Sequence, residues 1–169
     1  MPVDRAEENV EGAVIRVYAD TSVFGGVFDE EFARPSQAFF ESVRRGRFQL
    51  VISAVVRDEL AEAPENVRAF SQQIRLRAQE VDVTGQAVRL QKAYLAAGVV
   101  GPASEFDALH VAVATTSGCR VIVSWNFRHI VNFQKIPLYN GVNLARGYGT
   151  IAIHSPQEVV ADVDQGQDI

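Results

Sequence analysis

The 169-residue chain is 47% apolar and 22% charged, an ordinary globular balance that excludes wholesale disorder and fits one domain with a sizeable core. Its longest apolar runs span four to five residues, against the roughly 20 that a membrane-spanning helix needs. The net charge of −5 sits largely at the ends: residues 1–12 and 161–169 each carry −3, which leaves the body at +1, and 14 of the 16 basic residues are arginine, the better partner for phosphate and for stacked bases.

Both ends read as solvated acidic tails around a single domain over residues 13–160. Residues 1–12 have no apolar stretch of the secretory type, and the single Cys119 can form neither an internal disulfide nor a zinc cluster. A soluble, cytoplasmic protein is the expectation.

In chain order, residues 14–19 read as a first strand, β-branched and apolar. Gly25-Gly26 reads as a turn. A helix is expected over 35–45, with Pro35 at its first turn and Ala38, Phe39 and Val43 on one side. A second strand over 49–52 precedes helices over 55–63, closed by Pro64, and 65–78. A weaker strand over 80–83 leads into a helix over 84–97, whose apolar positions Ala87, Leu90, Tyr94 and Ala97 share one face and which stops at Gly98. The stretch 104–117 is apolar on most sides, as a buried helix is, and ends at Gly118. A strong strand over 120–124 and a short one over 150–153 follow. Strands alternating with helices predict an α/β fold, a three-layer α/β/α sandwich around a parallel sheet. Phe39-Phe40 and Tyr94-Leu95 give the helices more apolar surface than one sheet face covers, from which a homodimer is expected.

In such a sheet, ligands bind beyond the carboxyl ends of the strands. The first strand runs into Asp20-Thr21-Ser22 and the fourth into Ser124-Trp125-Asn126. Nearby helices carry Asp58-Glu59 and Glu105-Phe106-Asp107. Singly, each residue has an ordinary explanation. Asp20 and Asn126 could cap helices, Asp107 could close a capping box with Ser104, and Glu59 could be solvated. Jointly, they bring oxygen donors to one edge, where repelling carboxylates call for a hard divalent cation. No H-E-x-x-H, P-loop, G-x-G-x-x-G or G-x-S-x-G motif is present, which disfavours zinc hydrolase, nucleotide-binding and serine hydrolase chemistry. A signalling receiver or a dehalogenase-type phosphatase wants a second acid beside Asp20, where Ser22 stands.

These segments resemble the PIN-domain family, which includes the VapC-type toxin ribonucleases. Val17-Tyr18-Ala19-Asp20-Thr21-Ser22 is similar to its opening strand ending in D-T/S-S, and Ser53 to Leu60 to its S-x-x-x-x-x-E-L helix. Asp107-Ala108-Leu109-His110-Val111-Ala112 is similar to D-A-L-I-A, and Val121 to Asn126 to the strand ending in T-x-D. The resemblance spans roughly residues 14–160 and implies a metal-dependent endoribonuclease. Asp20, Glu59 and Asp107 would hold one or two Mg²⁺ or Mn²⁺ ions, with Ser22 hydrogen-bonding inside the site. It implies RNA as substrate, an antitoxin protein as a possible partner, and a dimer. Asn126 stands where the common pattern has Asp, so it is expected to face the pocket as a neutral oxygen donor or to act only as a cap. A catalytically weak RNA- or protein-binding module is the alternative. Arg57 and Arg128, beside Glu59 and Asn126, are candidates for contacting RNA phosphate.

Overall fold

The structure, a computed structural model, describes residues 14–167. The expected acidic segment 1–12 lies outside the described residues. Five strands form one sheet: β1 (Ile15–Ala19), β2 (Phe48–Ser53), β3 (Ala78–Val81), β4 (Val121–Val123) and β5 (Ala152–His154). All pairings are parallel and the order is β3-β2-β1-β4-β5. Eight α-helices flank it among the described residues: α1 (Thr21–Gly26), α2 (Ala33–Arg44), α3 (Ala54–Ala61), α4 (Glu65–Ile74), α5 (Gly85–Ala96), α6 (Glu105–Thr116), α7 (Ile136–Ala145) and α8 (Pro156–Gln167). α2 packs with α1 and α8, whereas α5 packs with α6 and α7. This is the expected α/β sandwich.

Parallel strands need long crossovers, and each crossover helix must bury a face against the sheet. That explains why β1, β2 and β4 are nearly continuous apolar runs with almost no exposed position. Side chains cap the helices at both key entrances: Ser53 Oγ accepts from Val56 N (3.3 Å) at α3, and Thr84 Oγ1 from Ala87 N (3.2 Å) at α5. α6 is buried continuously from Ala108 to Ala114, as its all-round apolarity predicts. It stops at Gly118, whose φ of 76° lets Cys119 N–H reach back to Ala114 O at 3.0 Å. The chain then turns directly into β4.

Three helices lie where none was expected. α1 contains Gly25 and Gly26, α7 carries Pro137 in its first turn, and the backbone of α8 continues into the acidic segment 161–169. The apolar pairs that motivated a dimer are in the core: Phe39, Phe40 and Tyr94 are fully buried, and Leu95 packs against them. The exposed apolar side chains are others, led by Phe133 (93%) and Leu76 (88%), with Leu138 and Leu144 on α7.

β5 is short and sits at the sheet edge. The backbone of Ile151, the residue just before β5, is held by the Asn140 side chain, whose amide donates to Ile151 O (3.0 Å) while its oxygen accepts from Ile151 N (2.8 Å).

At the end of α1, the chain passes against Trp125. A Cβ on Gly26 would lie 2.5 Å from Ser36 Oγ and 2.7 Å from Trp125 Nε1, the two atoms that hydrogen-bond each other at 2.9 Å. Gly26→Ala should therefore break that bond and destabilise the protein by about 1–3 kcal/mol. Chemical denaturation followed by the fluorescence of Trp125, the only tryptophan, reads both effects. An unchanged midpoint and spectrum would refute this account of the glycine.

Candidate metal centre

The sheet grows outward from β1 in both directions, β2 and β3 on one side and β4 and β5 on the other. The strand order switches between β1 and β4, so a ligand crevice is expected beyond their carboxyl ends. Asp20 follows β1 immediately and is 5% exposed. Its backbone N–H donates to Val123 O at 3.3 Å, so it is tied to the end of β4.

The Asp20 carboxylate is held from three directions. Oδ1 accepts from Ser22 N (3.1 Å) and Ser22 Oγ (2.5 Å), and Oδ2 accepts from Ser124 Oγ (2.6 Å). Ser22 Oγ in turn accepts from Trp125 N (2.9 Å), and Ser124 Oγ from Asn126 N (2.9 Å). Asp20 is thus both the cap of α1 and a buried acid. Ser22 holds the place expected of it. Ser124, fully buried, is marked in the sequence only by its position at the end of a strand and was not among the expected site residues.

Glu59 projects from α3, and its Oε1 accepts from His110 Nε2 at 2.7 Å. His110, on α6, is buried, and its Nδ1 lies 2.7 Å from the Tyr18 hydroxyl on β1. Tyr18 also meets Ser53 Oγ at 2.8 Å. His110 and Tyr18 were not among the expected site residues. Asp107 lies one turn before His110 in the first turn of α6, and Ser104 makes no side-chain cap, so the capping-box alternative for Asp107 does not form.

The charges converge on this imidazole. Burial works against a charged His110, but its hydrogen bond to Glu59 and the charges of Asp20, Glu59 and Asp107 outweigh it and move its pKa up. Burial likewise pushes the Asp20 carboxyl above its ordinary value, with Glu59 adding to the rise, while His110 and the hydroxyls of Ser124 and Ser22 hold it back only in part. Burial also raises the Tyr18 hydroxyl, which stays protonated.

The donors are hard oxygens beside a buried acid, the chemistry that suits Mg²⁺ or Mn²⁺. Among the described residues, no three His, Cys, Asp or Glu side chains stand close enough together to hold one ion. Mg²⁺ nevertheless commonly takes only one or two carboxylates and keeps its waters, so the residues present fit such an ion.

The remaining expected residues lie as follows. Asn126 Oδ1 accepts from His129 N at 2.9 Å, which is the capping role, here closing a turn rather than opening a helix. Arg57 is spent in surface pairs with Asp58 (3.2 Å) and Glu80 (3.1 Å), the solvated alternative, where such pairs contribute little. Arg128 is exposed and makes no ion pair among the described residues.

Both raised pKa values act on stability in one sense. Asp20 and His110 bind their protons more tightly folded than unfolded, so the folded chain carries more protons and stability falls as pH rises. The loss starts above the unfolded value of 3.8 for Asp20 and above 6.5 for His110. In chelator, the melting temperature should therefore decline from mildly acid pH through neutrality. Asp20→Asn should melt higher than the unaltered chain at neutral pH and show a flatter acid limb. A lower melting temperature for Asp20→Asn at neutral pH would contradict the assignment of Asp20 as an uncompensated buried acid.

Residues 16–128 match the sequence profile of the PIN domain. No curated protein sequence matches the chain significantly. Among solved structures, the fold is similar to a chain of VapBC2 from Rickettsia felis, a complex bound to a DNA fragment from its promoter. The TM-score is 0.57 at 11% identity, over 83% of this chain and 98% of that one. With the profile matched from β1 through the end of β4, and with the same fold, this chain belongs to the PIN-domain family.

Proposed function

We propose that the protein is a metal-dependent endoribonuclease that hydrolyses RNA phosphodiester bonds, acting in the cytoplasm as the toxin of a toxin–antitoxin pair. The observation that supports this reading is the buried Asp20 carboxylate at the switch point of a PIN-domain sheet, with Glu59 bonded to His110, a ring that also feels the charges of Asp20 and Asp107. The toxin role and an antitoxin partner draw support from the likeness to the VapBC2 complex.

Asp20, Glu59 and Asp107 are the residues that would hold Mg²⁺ or Mn²⁺, one or two of them to an ion, with water filling the remaining positions. Such an ion, when bound, activates water and neutralises charge on the phosphate under attack. Ser22 and Ser124 fix the rotamer of Asp20 by three hydrogen bonds, so its oxygens are presented without reorganisation. Arg128, exposed just beyond Asn126, supplies a cation for the RNA backbone. Arg57, already paired, is a weaker candidate for this. The apolar side chains of α7 and Phe133 offer the surface for a homodimer.

A second reading, a PIN-domain module that binds RNA or protein with little catalysis, is favoured by one observation. Asn126 supplies no charge, and its oxygen is already engaged by His129 N, so the end of β4 contributes no carboxylate at this position.

RNA cleavage with Mn²⁺ separates the two. The nuclease reading expects cleavage that is abolished by chelator and reduced about 100-fold or more by Asp20→Ala, since a catalytic metal contributes several kcal/mol. RNA binding with no cleavage supports the second reading. Arg128→Ala should weaken binding to all RNA sequences alike and lower the salt slope by about 1. An unaltered slope removes Arg128 from the interface.

A further inference from the structure

We infer that His110 is a positioning residue for the metal centre: anchored by Tyr18, it holds the Glu59 carboxylate at the crevice in the orientation that takes a divalent cation. The inference rests on the metal-site reading above.

Glu59 is poorly placed to orient itself. Its side chain is 42% exposed, and it extends from a helix surface on three rotatable bonds. A free glutamate there would spread over many rotamers. One contact removes that freedom, the 2.7 Å bond from His110 Nε2 to Oε1. The imidazole is itself immobile. It is only 4% exposed and its ring centre lies 5.8 Å from that of Tyr18, and its other nitrogen meets the Tyr18 hydroxyl. Tyr18 lies on the central strand, fully buried, and its hydroxyl also meets Ser53, whose Oγ caps α3 by accepting from Val56 N. The chain of contacts thus begins and ends on α3. It passes from the cap at Ser53 through β1 and α6 and returns to Glu59, fixing the helix and its carboxylate together.

The tether does not depend on the charge of the ring. A carboxylate only accepts, so Nε2 carries hydrogen in either state, and a tyrosine hydroxyl can donate to Nδ1 or accept from it. Among the described residues only Oε1 is engaged, which leaves Oε2 available. Hydrogen bonds of this kind behind a ligand typically account for 10- to 100-fold in metal affinity. The D-A-L-I-A pattern that 107–112 resembles has isoleucine at this position, so the histidine is a feature of this chain rather than of that pattern.

The test measures the Mn²⁺ affinity of the full chain from the electron paramagnetic resonance signal of free Mn²⁺, with melting temperature in chelator as the control for folding. His110→Ile should weaken Mn²⁺ binding 10- to 100-fold. Tyr18→Phe should weaken it less but in the same direction, and it carries the test if His110→Ile does not fold. His110→Gln, which keeps an N–H near Nε2, should restore part of the loss. In a Glu59→Gln background, His110→Ile should cause no further loss, because its effect passes through Glu59. A merely structural histidine would give additive losses in that background. Unchanged or tighter Mn²⁺ binding in His110→Ile, or such additivity, overturns the inference and leaves the metal site standing. No Mn²⁺ binding by the unaltered protein overturns both.

Discussion

A carboxylate sealed inside protein is among the costliest groups a fold can carry, and much of the crevice is organised around one of them, Asp20. Two hydroxyls and a backbone N–H serve its oxygens, and each hydroxyl also accepts from the backbone following β4. The bonds that quieten the charge are therefore the bonds that lace the ends of β1 and β4 across the crevice. Stability and site geometry are set by the same few atoms. The compensation is incomplete, since Asp20 still holds its proton more tightly than a free aspartate.

The second acid is treated differently. Glu59 is half exposed, and it is ordered by a neighbour rather than by burial. One face of the centre is thus rigid because it is sealed, and the other because a buried ring reaches out to it. Asp107, on the first turn of α6, adds negative charge to the same ring while also meeting the positive end of its own helix. Asp20 comes from a strand end, Asp107 from the first turn of α6 and Glu59 from the last turn of α3, three elements far apart in sequence.

Much of this was legible in the sequence. β1 and β4 are apolar runs bounded by polar residues, and their carboxyl ends directed attention to Asp20 and to Ser124-Trp125-Asn126. Glu59 and Asp107 were legible through the short patterns around them. The partners were not. Ser124 is 104 residues from Asp20, and Ser53 is 35 from Tyr18, so no local spacing reveals either bond. His110 was passed over because three scattered histidines show no metal-ligand spacing. Its one local cue was its place a helical turn after Asp107. α1 was hidden by its glycines, of which Gly26 is there to admit Trp125. α7 was hidden by a proline that its first turn tolerates. The dimer expectation rested on Phe39, Phe40 and Tyr94, and periodicity alone does not tell a doubly covered core helix from one that lacks a partner.

The grip of Asn140 on Ile151 has a consequence for assembly. Parallel pairing of β5 with β4 directs the Ile151 N–H and C=O outward, where another strand would add. Both groups are already bonded to a side-chain amide that imitates a neighbouring strand. A peptide seeking to lengthen the sheet on this side would first have to evict Asn140. Strand addition is thereby hindered at the start of β5.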